Sequence, residues 1–198
     1  MKHTKIVLLT AAVVMMTQAL GLSAAAEEET SAQSSEESVI DADSLSSDES
    51  SKETLTSGDY SYTLDGDNAT ITKYNGSETA VTIPDKLDGH TVTTLGSGTF
   101  ATKDMITSIT IPATVDTINS SCFYGCTVLE QVSLAEGNTA FTVTDGVLFS
   151  ANGEDLIVYP QAMEGTSYTI PDTVREIWTS AFSNTKLTDV TFPDGLLY

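Results

Sequence analysis

The stretch that decides the fold is IPATVDTINSSCFYGCTVLEQVSL, residues 111–134. Its apolar residues follow two spaced patterns, Val-x-x-Ile before Phe123 and Leu-x-x-Val-x-Leu after it. Val132 and Leu134 alternate with a polar residue, as in a strand that buries one face. Pro112 directly follows an apolar residue and ends the preceding strand, since proline has no backbone N–H to donate. The stretch therefore predicts one coil of chain whose apolar side chains point inward.

The same spacing recurs along the chain as an internal repeat. Val-x-x-(Leu/Ile)-x4-Phe occurs three times, 23 residues apart and then 59 residues apart, so one copy is expanded. A single coil cannot bury its own apolar edge, whereas stacked coils bury one another's. We predict a solenoid, mostly β with short helical turns around each Phe, with one continuous core and one parallel sheet. The predicted core residues are Leu95, Phe100, Ile118, Phe123, Leu129, Ile177 and Phe182.

Two further segments predict β-hairpins. Alternating residues on either side of Asp65-Gly66-Asp67-Asn68 indicate an N-terminal hairpin that caps the solenoid. In the expanded copy, residues 138–160, we predict an inserted hairpin that turns at Asn152-Gly153 and protrudes from the coil. The repeat domain is expected to span residues 58–198, with about four to five coils and an incomplete last one.

The repeat resembles a known family. The run Ile-Pro-x-x-Val-x-x-Ile-x4-Phe-x-x-Cys-x-x-Leu, from Ile111 to Leu129, is similar to the BspA-type bacterial leucine-rich repeat. The resemblance implies a leucine-rich-repeat solenoid in a secreted or surface protein that binds host or partner proteins, with no catalytic residue. The last full copy departs from the pattern, with Thr185-Lys186 in place of the family's Cys.

The N-terminal quarter has a different composition. Residues 1–26 have a basic start, the apolar run 6–22 and Ala24-Ala25-Ala26, which together predict a cleaved signal peptide. Residues 27–57 hold ten Ser and ten acidic residues, too little apolar surface to offset the entropy of ordering. We expect this acidic, Ser-rich linker to be disordered and extended by its like charges.

Charge and histidine content exclude several functional classes. The chain has 8 Lys and Arg against 28 Asp and Glu, so nucleic acid is disfavoured as a partner because phosphate contacts need basic side chains. We expect no membrane insertion after signal cleavage. With His90 as the single histidine after the signal peptide, no His-rich metal centre can form, and no cofactor is predicted.

Few residues suggest chemistry. Cys122 and Cys126 flank Phe123 and are interpreted as buried thiols, although a disulfide remains open in an exported protein. His90 lies in a turn with no nucleophile motif near it, so a Ser-His-Asp triad is disfavoured. Two carboxylates are enough for glycoside hydrolysis, and spacing alone does not exclude them. We predict that the protein is not an enzyme.

The outward strand positions are the predicted binding surface, a flat and hydroxyl-rich sheet face, although strand propensity alone also explains Thr there. Trp178 is a further aromatic anchor, unless it packs against a neighbouring coil. The predicted function is a protein-interaction or adhesion module for a protein or glycan ligand on a host or bacterial surface. The alternatives are a carbohydrate-active enzyme or its accessory domain, or a purely structural spacer. Because the last copy is incomplete, we also expect that the domain either self-associates through its C-terminal end or is a fragment of a longer array. The face residues are Thr82, Thr110, Ser133, Thr169, Thr191, Ser108 and Gln131.

Overall fold

The computed structural model describes residues 5–7 and 52–197. Among these residues the regular structure is entirely β, with no helix. The strands are β1 (Lys5–Val7), β2 (Leu55–Ser57), β3 (Tyr60–Asp65), β4 (Asn68–Tyr74), β5 (Ala80–Thr82), β6 (Lys86–Leu87), β7 (His90–Leu95), β8 (Ser108–Ile111), β9 (Thr117–Ile118), β10 (Gln131–Leu134), β11 (Phe141–Thr144), β12 (Val147–Ser150), β13 (Asp155–Val158), β14 (Ser167–Thr169), β15 (Glu176–Ile177) and β16 (Asp189–Thr191).

Successive coils stack their strands in parallel, which confirms the solenoid prediction. Strands β5, β8 and β10 form one sheet in the order β10-β8-β5. The register aligns Val81 with Ile109 and Ile109 with Val132, so each coil places the same position above the last. These three side chains are at most 2% exposed, and the residues that alternate with them face outward.

Burial follows the predicted core in the first coils and weakens toward the end of the chain. Five of the predicted core residues, from Leu95 to Leu129, are at most 5% exposed. Ile177 and Phe182 are only partly buried. Tyr159 packs on Phe182 with ring centroids 5.6 Å apart, and no later coil among the described residues covers the rest of that ring.

The predicted helical turns around each Phe are wrong. In every copy the residues two before and two after the Phe have positive φ, which an α-helix does not allow. The chain makes two linked turns instead, and their amides bond the next coil: the Phe100 N–H donates to the Cys122 carbonyl at 2.9 Å. The residues with positive φ are Gly98 and Thr102, Ser121 and Gly125, and Ser180 and Asn184.

Aromatic rings form a column through the first coils. The ring centroids of Tyr60 and Tyr74 lie 5.2 Å apart, and those of Tyr74 and Phe100 lie 5.6 Å apart. Phe100 and Phe123 are stacked at 6.0 Å with an interplanar angle of 3°. Offset stacked rings attract one another beyond the effect of their buried area, so the column joins hairpin and coils into one core.

The N-terminal hairpin is confirmed and begins earlier than predicted. Strands β3 and β4 pair around the turn at residues 65–68, and β4 continues in parallel with β7. Strand β2 pairs with β3 and contains Leu55–Ser57, the last three residues of the predicted linker. Ordered structure therefore starts before residue 58, while residues 27–51 of that linker lie outside the described residues.

The inserted hairpin is present, but it is packed into the coil rather than protruding from it. Strands β12 and β13 pair antiparallel, and Leu148 and Leu156 are fully buried. β13 runs parallel to β15, as β4 runs parallel to β7. The Tyr159 N–H donates to the Ala181 carbonyl at 3.0 Å, as the Tyr74 N–H donates to the Thr99 carbonyl at 2.9 Å. The insertion therefore repeats the N-terminal hairpin and starts a second block of coils.

The second block of coils divides both the hydrophobic core and the parallel sheet. The prediction of one continuous core and one parallel sheet is therefore wrong. Two hydrophobic clusters are present, one built mainly from residues 62–141 and one mainly from residues 147–190. Strands β14 and β16 pair in parallel as a separate sheet, without ladder bonds to β10. The hairpin interrupts the ladder because its own strands bond to each other and to β15.

The C-terminal tail folds back over the second block. The Leu197 N–H donates to the Arg175 carbonyl at 2.7 Å. Leu196 packs against the second hydrophobic cluster, whereas Leu197 is 62% exposed. On the edge of β16, strand β1 is paired antiparallel, within the segment predicted to be a signal peptide.

Replacing Phe123 with Ala is expected to destabilise the domain strongly, because the ring is buried and stacked on Phe100. We expect Phe123→Ala to lower the free energy of unfolding in urea by about 3–5 kcal/mol. Tyr124→Ala is the matched control, since Tyr124 is 47% exposed, and its loss should cost about 1 kcal/mol or less. A loss below about 1 kcal/mol for Phe123→Ala would contradict the assigned stacking.

Replacing Thr102 is expected to stabilise the domain, because a β-branched residue is strained at φ 59°. We expect Thr102→Gly to raise the free energy of unfolding by about 0.5–1 kcal/mol, since glycine adopts this conformation without a Cβ clash. In the control, Thr94→Gly within β7, the same change should destabilise the domain by a similar amount. Equal destabilisation of both variants would show that the turn is not strained in solution.

Candidate functional site

The sheet face of the first block is built by register. Because β5, β8 and β10 pair in parallel without slipping, Thr82, Thr110 and Ser133 align in one row across three strands. Strands in a sheet are about 4.8 Å apart, so the row presents a hydroxyl group at about that spacing. Ser108 and Gln131 align in a second row with Ala80.

Two of these hydroxyl groups bond each other. The Thr110 and Ser133 Oγ atoms lie 2.9 Å apart, and both residues are partly buried. This bond holds both side chains in defined rotamers, while each oxygen keeps capacity for a further partner. The row is therefore an ordered set of small polar groups, suited to hydrogen bonds with a polar ligand across a flat surface.

The remaining predicted face residues lie elsewhere. Thr169 and Thr191 pair with each other on β14 and β16, which form a different sheet from β5, β8 and β10. The structure thus brings together Thr82, Thr110 and Ser133, and separately Thr169 and Thr191. The sequence could not show where one sheet ends and the other begins, because both sets of residues satisfy the same alternating pattern.

Trp178 lies at the edge of the first hydrophobic cluster. Its side chain is partly buried against the first hydrophobic cluster, and its backbone N–H donates to the Leu156 carbonyl at 2.9 Å. It lines a cleft with Tyr124 and Cys122 that has about 20 Å³ of room, enough for roughly one water molecule. Trp178 thus packs partly against the first cluster, and Tyr124 is the more exposed of the two aromatic side chains.

A polar groove lies near the first residues of β10, β14 and β16, and it was not predicted from the sequence. It has a volume of about 390 Å³ and is lined by Glu130, Met163, Glu164 and Lys186, together with Ala162. This volume lies at the lower end of the range of ligand pockets, which is about 300–1,000 Å³. Its residues come from three separate segments, so no local sequence motif could have identified it.

The two cysteines are buried free thiols, as interpreted. The Cys126 Sγ donates to the Phe100 carbonyl at 3.0 Å. Burial raises the pKa of Cys126 to about 11 and raises the pKa of Cys122 further. Because the thiolate is the reactive form, both side chains are poor nucleophiles at neutral pH.

The turn that precedes His90 is organised around Asp88, and His90 itself is the first residue of β7 rather than part of the turn. The Ser57 Oγ donates to Asp88 Oδ1 at 2.7 Å and the Tyr62 hydroxyl donates to Oδ2 at 2.9 Å. These two bonds lower the pKa of Asp88, with a smaller contribution from the nearby charge of His90. The serine proton points at the carboxylate and not at the imidazole, so the order of a Ser-His-Asp relay is not present here.

Charge in the described residues is largely unpaired. The ion pair found there joins Lys52 and Asp65 at 3.3 Å between exposed side chains. No group of three potential metal ligands occurs within residues 52–197. No helix in the described part of the chain is long and apolar enough to cross a bilayer. The residues of β5, β8 and β10 are all uncharged, in a chain with 20 more acidic than basic side chains.

Comparison with known families agrees with the repeat. The model of the BspA type leucine rich repeat region matches in six copies over residues 74–152 and 158–198. No curated protein sequence matches the chain significantly.

Several solved bacterial structures are also similar. A leucine-rich repeat protein from Eubacterium ventriosum has 20% identity and a TM-score of 0.47, over 71% of this chain and 59% of that one. The pneumococcal vaccine antigen PcpA has 16% identity and a TM-score of 0.48, over 73% and 65%. The T. pallidum leucine rich repeat protein has 21% identity and a TM-score of 0.48, over 68% and 69%. The chain thus spans less than two thirds of the first two proteins.

Acid should weaken the attachment of β2 and β3 to the turn at residue 88. The folded-state pKa of Asp88 is lowered, so its stabilisation is present above the unfolded value of about 3.9 and is lost as pH falls through the folded value. Asp88→Asn removes the charge and keeps a residue that tolerates the φ of 50°. We expect this variant to melt at a lower temperature than the unmodified chain at pH 7. Its melting temperature should then fall less than that of the unmodified chain between about pH 5 and 3.

Asp104→Asn, at an exposed turn position, is the control for this experiment. It should follow the pH profile of the unmodified chain. If Asp88→Asn and Asp104→Asn gave the same profile in thermal melts, the Ser57 and Tyr62 bonds would not stabilise the fold.

Proposed function

Because the chain belongs to the BspA-type leucine-rich repeat family, we propose that it is an exported, non-enzymatic interaction or adhesion module of a bacterium. It binds a protein or glycan ligand on a host or bacterial surface through the face of β5, β8 and β10. The observation that carries this proposal is the in-register row of Thr82, Thr110 and Ser133, in which two hydroxyl groups are ordered by a mutual bond.

Export is supported by the N-terminal sequence. Lys2 and Lys5 precede the apolar run, and Ala24-Ala25-Ala26 offers a small-residue cleavage site. Cleavage there would release a chain that begins with three glutamates, and the acidic linker 27–51 would separate the repeat domain from the point of attachment or release. The proposed location is accordingly outside the cytoplasm, secreted or at the cell surface.

The chemistry of the face supports a polar, uncharged or basic ligand. Threonine and serine hydroxyl groups donate and accept, which matches sugar hydroxyl groups and peptide backbone alike. The excess of 20 negative charges over positive ones disfavours anionic partners such as nucleic acid. A ligand of this kind would gain affinity from several small hydrogen bonds rather than from one anchoring pocket.

The groove of Glu130, Glu164 and Lys186 supports the glycan alternative within this proposal. Carboxylate and ammonium groups bind sugar hydroxyl groups directionally, and the groove volume accommodates such a group. Glu130 immediately precedes β10, so a glycan could contact the groove and the hydroxyl face together. Self-association through the C-terminal end is the second interaction that we propose for this chain.

Blocking the hydroxyl face should abolish ligand binding while preserving the fold. We expect Thr110→Arg to reduce binding to a glycan array or to a panel of purified surface proteins by at least about tenfold, because the long side chain covers the neighbouring hydroxyl groups. Thr117→Arg is the matched control, since Thr117 is exposed on β9, which belongs to a different sheet.

Circular dichroism would show that both variants fold. Equal signals for Thr110→Arg and Thr117→Arg on every probe bound by the unmodified chain would overturn the assignment of this face. Loss of binding on replacing Glu164 with Gln, with Thr110→Arg unaffected, would move the site to the groove.

A further inference from the structure

The inserted hairpin of the second block forms one side of a small pocket. Thr142 and Thr144 lie two residues apart on β11, and Phe149 of β12 is paired with Thr142. Their side chains therefore share one face of the hairpin. The pocket has a volume of about 190 Å³. The residues that line it are Thr142, Thr144, Phe149, Gly153, Pro171 and Thr173.

The pairing of the strands identifies the same place in the first block. Tyr74 and Tyr159 make equivalent bonds at the ends of the two hairpins. The residue three positions before Tyr74 pairs with Tyr62. The residue three positions before Tyr159 pairs with Phe149. Phe149 is therefore the counterpart of Tyr62, and β11 is the counterpart of β2.

In the first block this place is filled by the chain itself. Ser57 lies on β2 two residues after the partner of Tyr62. Thr144 has the same place on β11, two residues after the partner of Phe149. In the first block the Ser57 Oγ and the Tyr62 hydroxyl donate to the carboxylate of Asp88, at 2.7 and 2.9 Å. A loop of the first block thus fills the place that is a pocket in the second block.

The length of one segment explains the difference. Seven residues, 85–91, separate Pro84 from Val92 in the first block. Two residues, 172–173, separate Pro171 from the corresponding valine in the second block. The longer segment contains β6 and the turn that supplies the carboxylate, and the shorter segment has no counterpart of either. The pocket is therefore a consequence of the shorter loop.

Hydrogen bonds hold the walls of the pocket in place. The Thr173 Oγ1 donates to the Gly153 carbonyl at 3.1 Å, which joins the loop after β14 to the turn of the hairpin. Within that turn, Asn152 Oδ1 accepts from the Ser150 Oγ at 2.8 Å and from the Glu154 N–H at 3.1 Å. A pocket whose walls are already ordered loses little conformational entropy when a ligand binds.

The lining favours an uncharged ligand. None of the six residues that line the pocket carries a charge. Phe149 lacks the hydroxyl group that Tyr62 donates to Asp88, so a carboxylate would lose one of its two donors here. The threonine hydroxyl groups donate and accept, whereas Phe149 and Pro171 contribute apolar surface. Ligand pockets commonly combine apolar lining with a few polar groups.

We propose that this pocket binds one neutral sugar residue of a glycan. A sugar ring carries hydroxyl groups on its rim and C–H groups on its faces, so it matches the threonines and the apolar surface together. The volume is below the range of about 300–1,000 Å³ for ligand pockets, so a single residue of the glycan enters. The site lies outside the sheet of β5, β8 and β10. It adds a second position to the proposed function and does not depend on that face.

Saturation-transfer NMR with the full chain tests the class of ligand. The probes are the methyl glycosides of glucose, galactose, mannose and N-acetylglucosamine at millimolar concentration. We expect at least one of these neutral probes to bind. The methyl glycosides of glucuronic acid and glucosamine, which carry a charge, should have higher dissociation constants in titrations than their neutral counterparts. No binding of any neutral probe, or tighter binding of the charged ones, overturns the proposal.

Two valine variants test the position of the site. Thr142→Val removes one hydroxyl group, keeps the shape of the side chain and suits a strand. We expect the dissociation constant of the bound neutral probe to rise about two- to tenfold, the effect of one lost hydrogen bond. Thr144→Val gives the same test at an exposed position of β11, and Thr70→Val on β4 is the matched control. If neither variant weakens binding relative to Thr70→Val, the pocket is not the site.

Thr110→Arg separates this pocket from the hydroxyl face. We expect this variant to bind the methyl glycosides as the unmodified chain does, because Thr110 lies on β8 in a different sheet. Loss of monosaccharide binding in Thr110→Arg, with Thr142→Val unaffected, would overturn the assignment of the pocket and favour the face. Loss in Thr142→Val alone would support the pocket and leave the test of the face to its own ligands.

Discussion

The structure depends on one constraint: each coil exposes an apolar edge that only another layer of chain can bury. Val81, Ile109 and Val132 are buried because their coils are stacked in register. Stacked aromatic rings extend the same principle through Phe100 and Phe123. Since stability in such an array comes mostly from neighbours, the ends and the joints determine where the molecule can vary and bind.

A hairpin satisfies this constraint wherever a block of coils begins. Tyr74 is the last residue of the first hairpin, and Tyr159 directly follows the second. Each ring packs on the first Phe of the block that follows. The equivalent bonds from Tyr74 to Thr99 and from Tyr159 to Ala181 show that the same arrangement is used twice. The second hairpin covers the open side of its block, and in doing so it interrupts the parallel sheet.

The proposed binding surface follows from the alternation that builds the core. Inward positions of each strand are committed to packing, whereas outward positions such as Thr110 and Ser133 contribute little to burial and can serve a ligand. Because the parallel strands pair in register, the same position on each strand contributes one hydroxyl group, and these groups form a row. The division of the sheet limits that row to three strands in the first block, so extended recognition would need either the neighbouring groove or a second copy of the chain.

The sequence by itself determined the solenoid, most of the inward residues and both hairpins, because the spacing of apolar residues reports directly on which side chains share a face. It could not determine the turn around each Phe, since Thr102, Ser121 and Ser180 adopt positive φ although their residue types do not favour it. Nor could it assign outward positions such as Ser133 and Thr169 to two different sheets, because both fit the same alternating pattern. These features depend on contacts between residues far apart in the chain, and only the folded arrangement of the coils decides them.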